Sequence, residues 1–301
     1  MQVKTNQDKI VKISVMGEIA SPVARTAYRI TADGRPVTLP GVGGITYNLR
    51  VGDLAIGWKA DHVEPGVSIE NKEDDARFKQ MANTSLNILS CVGNEARVVT
   101  GDAKGERGTV VGKHGGIEHV MVDFSEQVME NLVIGDKILI KAFGQGLELL
   151  DYPSIKVMNI DPGFLSKINF AEIDGKLGIP VTHKVPARVM GSGLGADQVY
   201  SGDYDIQLFD EATNKEFGLE NLRFGDLVAI IDADHSYGRI YKKGSVSVGI
   251  VVHSDCVISG HGPGVTTLFT STAGMIESII DSDANIASIL GLRSMRKKAK
   301  G

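Results

Sequence analysis

The sequence predicts a mainly β protein: a mixed or antiparallel β body with internal duplication, a small SH3-like barrel and one or two helices. Three observations predict it. Short runs rich in Val, Ile and Thr recur every ten residues or so and are broken by Gly-Asp, Pro-Gly or Asp-Gly pairs. Glycine supplies 36 of 301 residues, about 12% against a usual ~7%, so turns are frequent. Apolar residues at helical spacing are scarce. With 42% apolar and 23% charged residues, the composition excludes a disordered chain and leaves room for a sizeable core.

The strand candidates follow in order as VKISVMG (residues 11–17), ITYNLRVGDLAIGW (45–58), ARVVTGD (96–102), GTVVGK (108–113), HVMVDF (119–124) and DKILIKAF (136–143). A first helix is expected over Glu73 to Cys91, where Phe78, Met81, Leu86 and Leu89 recur near helical spacing behind an acidic turn. A second is expected over Gly274 to Leu290, carrying Met275, Ile276, Ile279, Ile280, Ile286, Ile289 and Leu290 on one stripe. Leu227 to Asp232 and Ser245 to His253 read as strands. In the latter, Val246, Val248, Ile250 and Val252 take one face, and Ser245, Ser247, Gly249, Val251 and His253 the other.

Asn48 to His62 aligns without a gap on Asn221 to His235, with nine of fifteen positions identical, and NLVIGDKILI at 131–140 echoes the first part. A turn feeding a strand accounts for the short echo, while the shared Ala-Asp-His ending points to duplicated halves. Three parts are expected: an N-terminal β part over 1–91, a barrel over 92–150 and a C-terminal β domain over 151–301 that packs with the first.

The barrel expectation rests on Gly93 to Gly116, GNEARVVTGDAKGERGTVVGKHGG, which resembles the KOW motif of ribosomal proteins and transcription elongation factors. That resemblance implies an SH3-like barrel whose surface often contacts RNA. Here Arg97, Lys104, Arg107 and Lys113 are offset by Glu95, Asp102, Glu106 and Glu118, so a structural barrel is the better reading. Over its length the chain also resembles an uncharacterised β-rich family of bacteria and archaea, known as a domain of unknown function. PGVGGITYNLRVGD, SGDYDIQ, FGDLVAIIDADHSYGR and VGIVVHSDCVISGHGPGVTT carry this likeness, which supports the fold and implies no activity.

Charge and cysteine usage narrow the function. A net charge of −5 makes nucleic acid an unexpected partner, and the basic residues Arg293, Arg296, Lys297, Lys298 and Lys300 read as a solvated tail. Apolar runs such as Leu227 to Ile231 fall far short of the ~18 residues that span a bilayer. The N-terminus shows no apolar signal region, so a cytoplasmic location is expected. Cys91 and Cys256 exclude a disulfide framework. No GxSxG, HExxH or Walker loop occurs, and MGSGLGAD at 190–197 lacks the helix that a dinucleotide loop needs.

Chemistry is expected in the C-terminal half, where three of seven histidines lie between 235 and 261. Asp232, Asp234, His235 and His253 are expected to hold a divalent metal such as zinc, manganese or iron, with Asp203 or Asp205 of SGDYD completing the shell, since carboxylates with imidazoles suit such ions. The glycine loop around His261 is expected to bind the reacting group, Arg239 to fork onto a substrate carboxylate or phosphate, and Asp61 and His62 to join from the other half. Cys256, near His253, Asp255 and His261, is the alternative nucleophile. Each has a plain structural counterpart: a satisfied strand-end histidine, an Asx turn, a solvated arginine, a packed cysteine.

The order GDxD, then GDL with DxH, is also similar to the acetamidase and formamidase family of metal-dependent amide hydrolases. SYGRIYKKG stands here where that family has an acidic, glycine-rich stretch, so no residue is carried over. The expected function is a metal-assisted hydrolase or lyase of a small polar substrate, amide-like or carboxylate, in a homo-oligomer. A binding module working through the barrel and a purely structural oligomer are the alternatives.

Overall fold

In the computed structural model, residues 1–24, 26–73 and 81–293 are described. The basic residues after Arg293, and residues 74–80 of the expected first helix with Phe78, lie outside them. The barrel and its surroundings are made by β1 (Ile13–Ile19), β2 (Arg29–Ile30), β3 (Pro36–Val37), β4 (Ile45–Thr46), β5 (Gly66–Glu70), α1 (Met81–Leu89), β6 (Glu95–Val98), β7 (Arg107–His114), β8 (His119–Asp123), α2 (Glu126–Met129) and β9 (Lys137–Ala142). There follow β10 (Lys156–Val157), α3 (Pro162–Leu165), β11 (Ala171–Ile173), β12 (Lys176–Val181), β13 (His183–Pro186), β14 (Tyr204–Asp205), α4 (Glu211–Phe217), β15 (Leu227–Asp234), β16 (Ile240–Val251), β17 (Gly264–Ser271), β18 (Ile276–Ile280) and α5 (Ile286–Leu290).

The chain is mainly β, as its patterning predicts. Strands β1, β9, β6, β7, β8 and β5 pair antiparallel in that order, and β1 pairs again with β5 to close a barrel of six strands. Alternation dictates the closure: Ala96, Val98, Ile138 and Ile140 are buried while Arg97, Lys137 and Lys141 between them are exposed, so one face fills a core and closure leaves few free edges. The expected barrel of 92–150 provides β6 to β9. The N-terminal runs β1 and β5 complete it, so the first two expected parts form one unit.

The second body is a sheet ordered β10-β17-β16-β15-β13, with β14 also on β17, over a core that includes Phe224, Leu227, Ile230, Val248, Ile250 and Phe269. The two bodies are bonded where β7 meets β17. There the Thr266 hydroxyl accepts from the Lys113 amide at 3.3 Å and donates to the Lys113 carbonyl at 3.0 Å. Lys113, fully buried, reaches the Asn159 Oδ1 at 2.8 Å and the Tyr200 carbonyl at 2.9 Å.

The repeat has a local cause. In all three copies the amide three residues before the aspartate donates to its carboxylate: Arg50 to Asp53 at 2.9 Å, Val133 to Asp136 at 3.0 Å and Arg223 to Asp226 at 2.9 Å. The intervening glycines sit at φ 93°, 89° and 82°, left-handed values that favour glycine. Beyond the turn the copies diverge. Asp226 leads into β15 and Asp136 into β9, whereas residues 54–62 form an irregular connection. The two long copies lie against each other, Gly52 donating to the Phe224 carbonyl at 2.7 Å and Phe224 to the Asp53 carbonyl at 2.9 Å.

The second expected helix is corrected. Ile276–Ile280 is a strand parallel to β12, and only Ile286–Leu290 is helical. A β-branched run next to an available edge is better extended than coiled, and Asn285, whose side chain caps the Ala287 amide, sets the late start of α5. Among the described residues no helix is long and apolar enough to cross a membrane.

Candidate functional site

A half-open cavity of about 560 Å³ lies where the barrel meets the second body, and His62, His114, Asp203, Asp205, Arg239 and His261 line it. His62 precedes β5, and its loop docks on the segment after β16: Val63 donates to the Ser254 hydroxyl and Ser254 to the Val63 carbonyl, both at 3.0 Å. The His62 backbone is left-handed, φ 57°, a strain of about 1–3 kcal/mol that the surrounding structure must hold in place. His114 ends β7. Asp203 and Asp205 come from SGDYD, and the Gly115 amide donates to Asp203 Oδ1 at 2.7 Å, so barrel and sheet meet at the carboxylate.

At the centre stand His114, Asp203 and His253, all buried, with ligand-capable atoms within 4.8 Å of one another. His253 Nε2 lies 2.8 Å from Asp203 Oδ2 and 3.4 Å from Asp205 Oδ1, yet neither His253 Nε2 nor Asp203 Oδ2 makes an aligned hydrogen bond. Buried polar atoms are rarely left so. The outer nitrogens are occupied: His253 Nδ1 is 2.9 Å from the Ser254 carbonyl, and His114 Nδ1 is 2.6 Å from Glu64 Oε1. Each ring therefore turns its Nε2 inward, the nitrogen that ligating histidines offer when a carbonyl or carboxylate holds their other one. Gly264 permits the approach, because a Cβ there would stand 1.8 Å from Asp203 Oδ2 and 2.3 Å from His253 Nε2.

Around this core run carboxylates with imidazole partners. Glu64, fully buried, takes His119 Nδ1 at 3.0 Å and the Gly43 amide at 2.8 Å in addition to His114. Asp205 Oδ2 lies 3.0 Å from His261 Nδ1 and 3.7 Å from His62 Nε2, and accepts from the Gly262 amide at 3.3 Å. Burial opposes charge on Asp203 and Asp205, but the facing imidazoles outweigh it and hold both carboxyls below the usual range. Burial likewise opposes charge on His253, and the two aspartates push it well above the usual imidazole range. The carboxylates are thus ionised against the His253 imidazolium, whose proton a bound cation would displace.

Two sequence-family models match the chain: the N-terminal DUF4438 domain over residues 28–166 and the C-terminal DUF4438 domain over 167–290, each described as a domain of unknown function. The chain belongs to the DUF4438 family. A crystal structure of the protein TM1086 superposes with a TM-score of 0.89 at 49% identity, covering 95% of this chain and 99% of that one. No curated protein matches. His62, Glu64 and His114 lie in the N-terminal DUF4438 match, and Asp203, Asp205, Arg239, His253 and His261 in the C-terminal one, so neither holds the site alone.

Of the residues singled out from the sequence of this DUF4438 chain, Asp61, His62, Asp203, Asp205, Arg239, His253 and His261 do come together. Asp61 accepts the Cys256 thiol at 2.8 Å and pairs with Arg29 at 2.9 Å and His62 Nδ1 at 3.3 Å. It positions His62. Burial and Asp61 push the Cys256 thiol far above its ordinary range, which works against the thiolate that a nucleophile needs. Arg239 is buried, with an unpartnered Nε and one bond, from Nη2 to the Ser201 carbonyl at 3.3 Å. Expected to aim amides at a substrate, the loop at His261 instead gives its Gly262 amide to Asp205.

Asp232, Asp234 and His235 are corrected as ligands. In the antiparallel β15–β16 pair, Leu227 faces Ile250 while Asp234 faces Ile240, which puts the DADH end of β15 opposite the start of β16 and His253 beyond its other end. Asp232 sits in the bulge, accepting from the Gly244 amide at 2.7 Å, and Asp234 accepts from Ser236 at 2.9 Å. His235 packs edge-on to Tyr204, 4.8 Å between ring centres, with Nδ1 2.8 Å from the Thr267 hydroxyl. Burial lowers its pKa to about 3. His114 and Glu64 are the residues that sequence reasoning missed. His114 closes an alternating strand just before Gly-Gly, and Glu64 stands two residues past His62, the same i, i+2 spacing that pointed to Asp203 and Asp205.

Proposed function

We propose that the chain is a metal-dependent hydrolase of a small polar substrate, amide-like or carboxylate-bearing, with its cation held by His114, Asp203 and His253. The observation that carries the reading is the pair of buried atoms without aligned partners, His253 Nε2 and Asp203 Oδ2, 2.8 Å apart beside His114. Two atoms bound at about 2.1 Å to one ion and subtending 90–109° are separated by about 3.0–3.4 Å, so the 2.8 Å pair needs to open by only a few tenths of an ångström to share a cation. A divalent ion there would supply Lewis acidity and acidify a bound water.

The chain's own groups then divide the work. Glu64 and the Ser254 carbonyl hold the tautomers of His114 and His253. Arg239 lines the cavity with one side-chain hydrogen bond, from Nη2 to the Ser201 carbonyl, and its guanidinium suits a substrate carboxylate. The cavity accommodates a small molecule. Elemental analysis of protein purified without a histidine tag tests the reading. Stoichiometric zinc, manganese or iron that is lost in His253→Ala, together with hydrolysis in a screen of amides and lactams, is the expected result. Folded protein that stays metal-free after incubation with all three ions would overturn it.

A further inference from the structure

We propose that the centre is binuclear, with Asp205 bridging the cation above to a second one held by His62 and His261. This rests on the hydrolase reading for the first cation and adds a separate site. The two oxygens of Asp205 face different imidazoles: Oδ1 is 3.4 Å from His253 Nε2, and Oδ2 is 3.0 Å from His261 Nδ1 and 3.7 Å from His62 Nε2. A carboxylate split in this way is the bridge of paired-ion sites, where the ions stand about 3.5–4 Å apart.

The second set has ligand geometry of its own. His62 Nε2 and His261 Nδ1 are 3.0 Å apart, a separation that two ligands of one ion show. Asp61, anchored by Arg29 and Cys256, faces the far nitrogen of His62 as Glu64 faces that of His114, so both halves of the site repeat one carboxylate–imidazole device. Charge agrees: Asp203 and Asp205 are buried, and none of the described salt bridges joins either to lysine or arginine. Buried carboxylates without such partners favour cations. The His261 side chain is 33% exposed, which leaves the second cation open to the cavity and to water.

Counting ions separates the two proposals. Untagged protein is reconstituted with Mn²⁺, desalted and assayed for manganese per chain, with electron paramagnetic resonance to detect coupling between ions and circular dichroism to confirm folding. Expected are two ions with a coupled spectrum in the wild type, and one uncoupled ion in His261→Gln. His62→Gln serves as the second variant and should give the same. One ion in the wild type, lost in His253→Ala and untouched by His261→Gln, would overturn the bridge and leave the hydrolase reading standing. No ion in folded protein would overturn both.

Discussion

Side chains of one type are given opposite roles here by what surrounds them. His235 and His62 end the two long copies of the same fifteen-residue pattern, yet His62 faces Asp61 and Asp205 and stands above the usual imidazole range, while His235 is buried beside Tyr204 with its pKa at about 3. The cost falls on acid stability. Between pH 6.5 and about 3 the unfolded chain binds a proton at residue 235 that the folded chain refuses, so stability drops as pH falls through 6.5 and levels off below about 3. At pH 4.5, two units below the unfolded value, this amounts to about 2.7 kcal/mol. Urea melts at pH 7.0 and 4.5 should therefore show the wild type losing about 2–3 kcal/mol more than His235→Gln. Equal losses in the two proteins would mean that the buried ring does take up its proton.

At the level of elements, one turn is used three times at different depths. Asp226 is fully buried and also bonds Asn285 at 2.8 Å; Asp136 is buried and also takes the Thr100 hydroxyl at 3.0 Å; Asp53 is 30% exposed by its side chain and faces Arg293. An unpaired donor costs more where water cannot reach it. Replacement by alanine should thus destabilise in the order Asp226, Asp136, Asp53, from about 3 kcal/mol down to about 1 kcal/mol, as read from denaturant midpoints. If the three losses were alike, the turn and not its burial would set the cost. The same logic explains what the repeat is: turn chemistry is local and recurs, while the segment after each turn takes its form from the strand that it finds to pair with.

On the scale of the molecule, the site is a seam. The barrel contributes His62, Glu64 and His114, and the second body Asp203, Asp205, His253 and His261, so any cation bound there ties the two bodies in the folded state alone. Ligand at 1,000 times its dissociation constant adds about 4 kcal/mol. Calorimetry should accordingly show Zn²⁺ or Mn²⁺ raising the melting temperature by several degrees in a single transition, reversed by a chelator. A rise confined to one of two separate transitions would place the cation within one body.

The sequence by itself determined the β class, the punctuation by glycine turns and the glycine-flanked Asp and His residues around SGDYD, VVHSD and GHGPG, because strand period and turn chemistry act between near neighbours. It could also bring Asp61 and His62 to attention through the repeat. Only the tertiary structure decided which of these residues meet. His62, His114, Asp203, His253 and His261 are spread over 200 residues, and their assembly depends on β1 and β5 closing the barrel and on β7 docking against β17 at Thr266. The antiparallel register of β15 and β16, with its bulge after Ile231, carried DADH away from His253. Pairing partners, register and closure are properties of contacts between distant segments, and no local pattern encodes them.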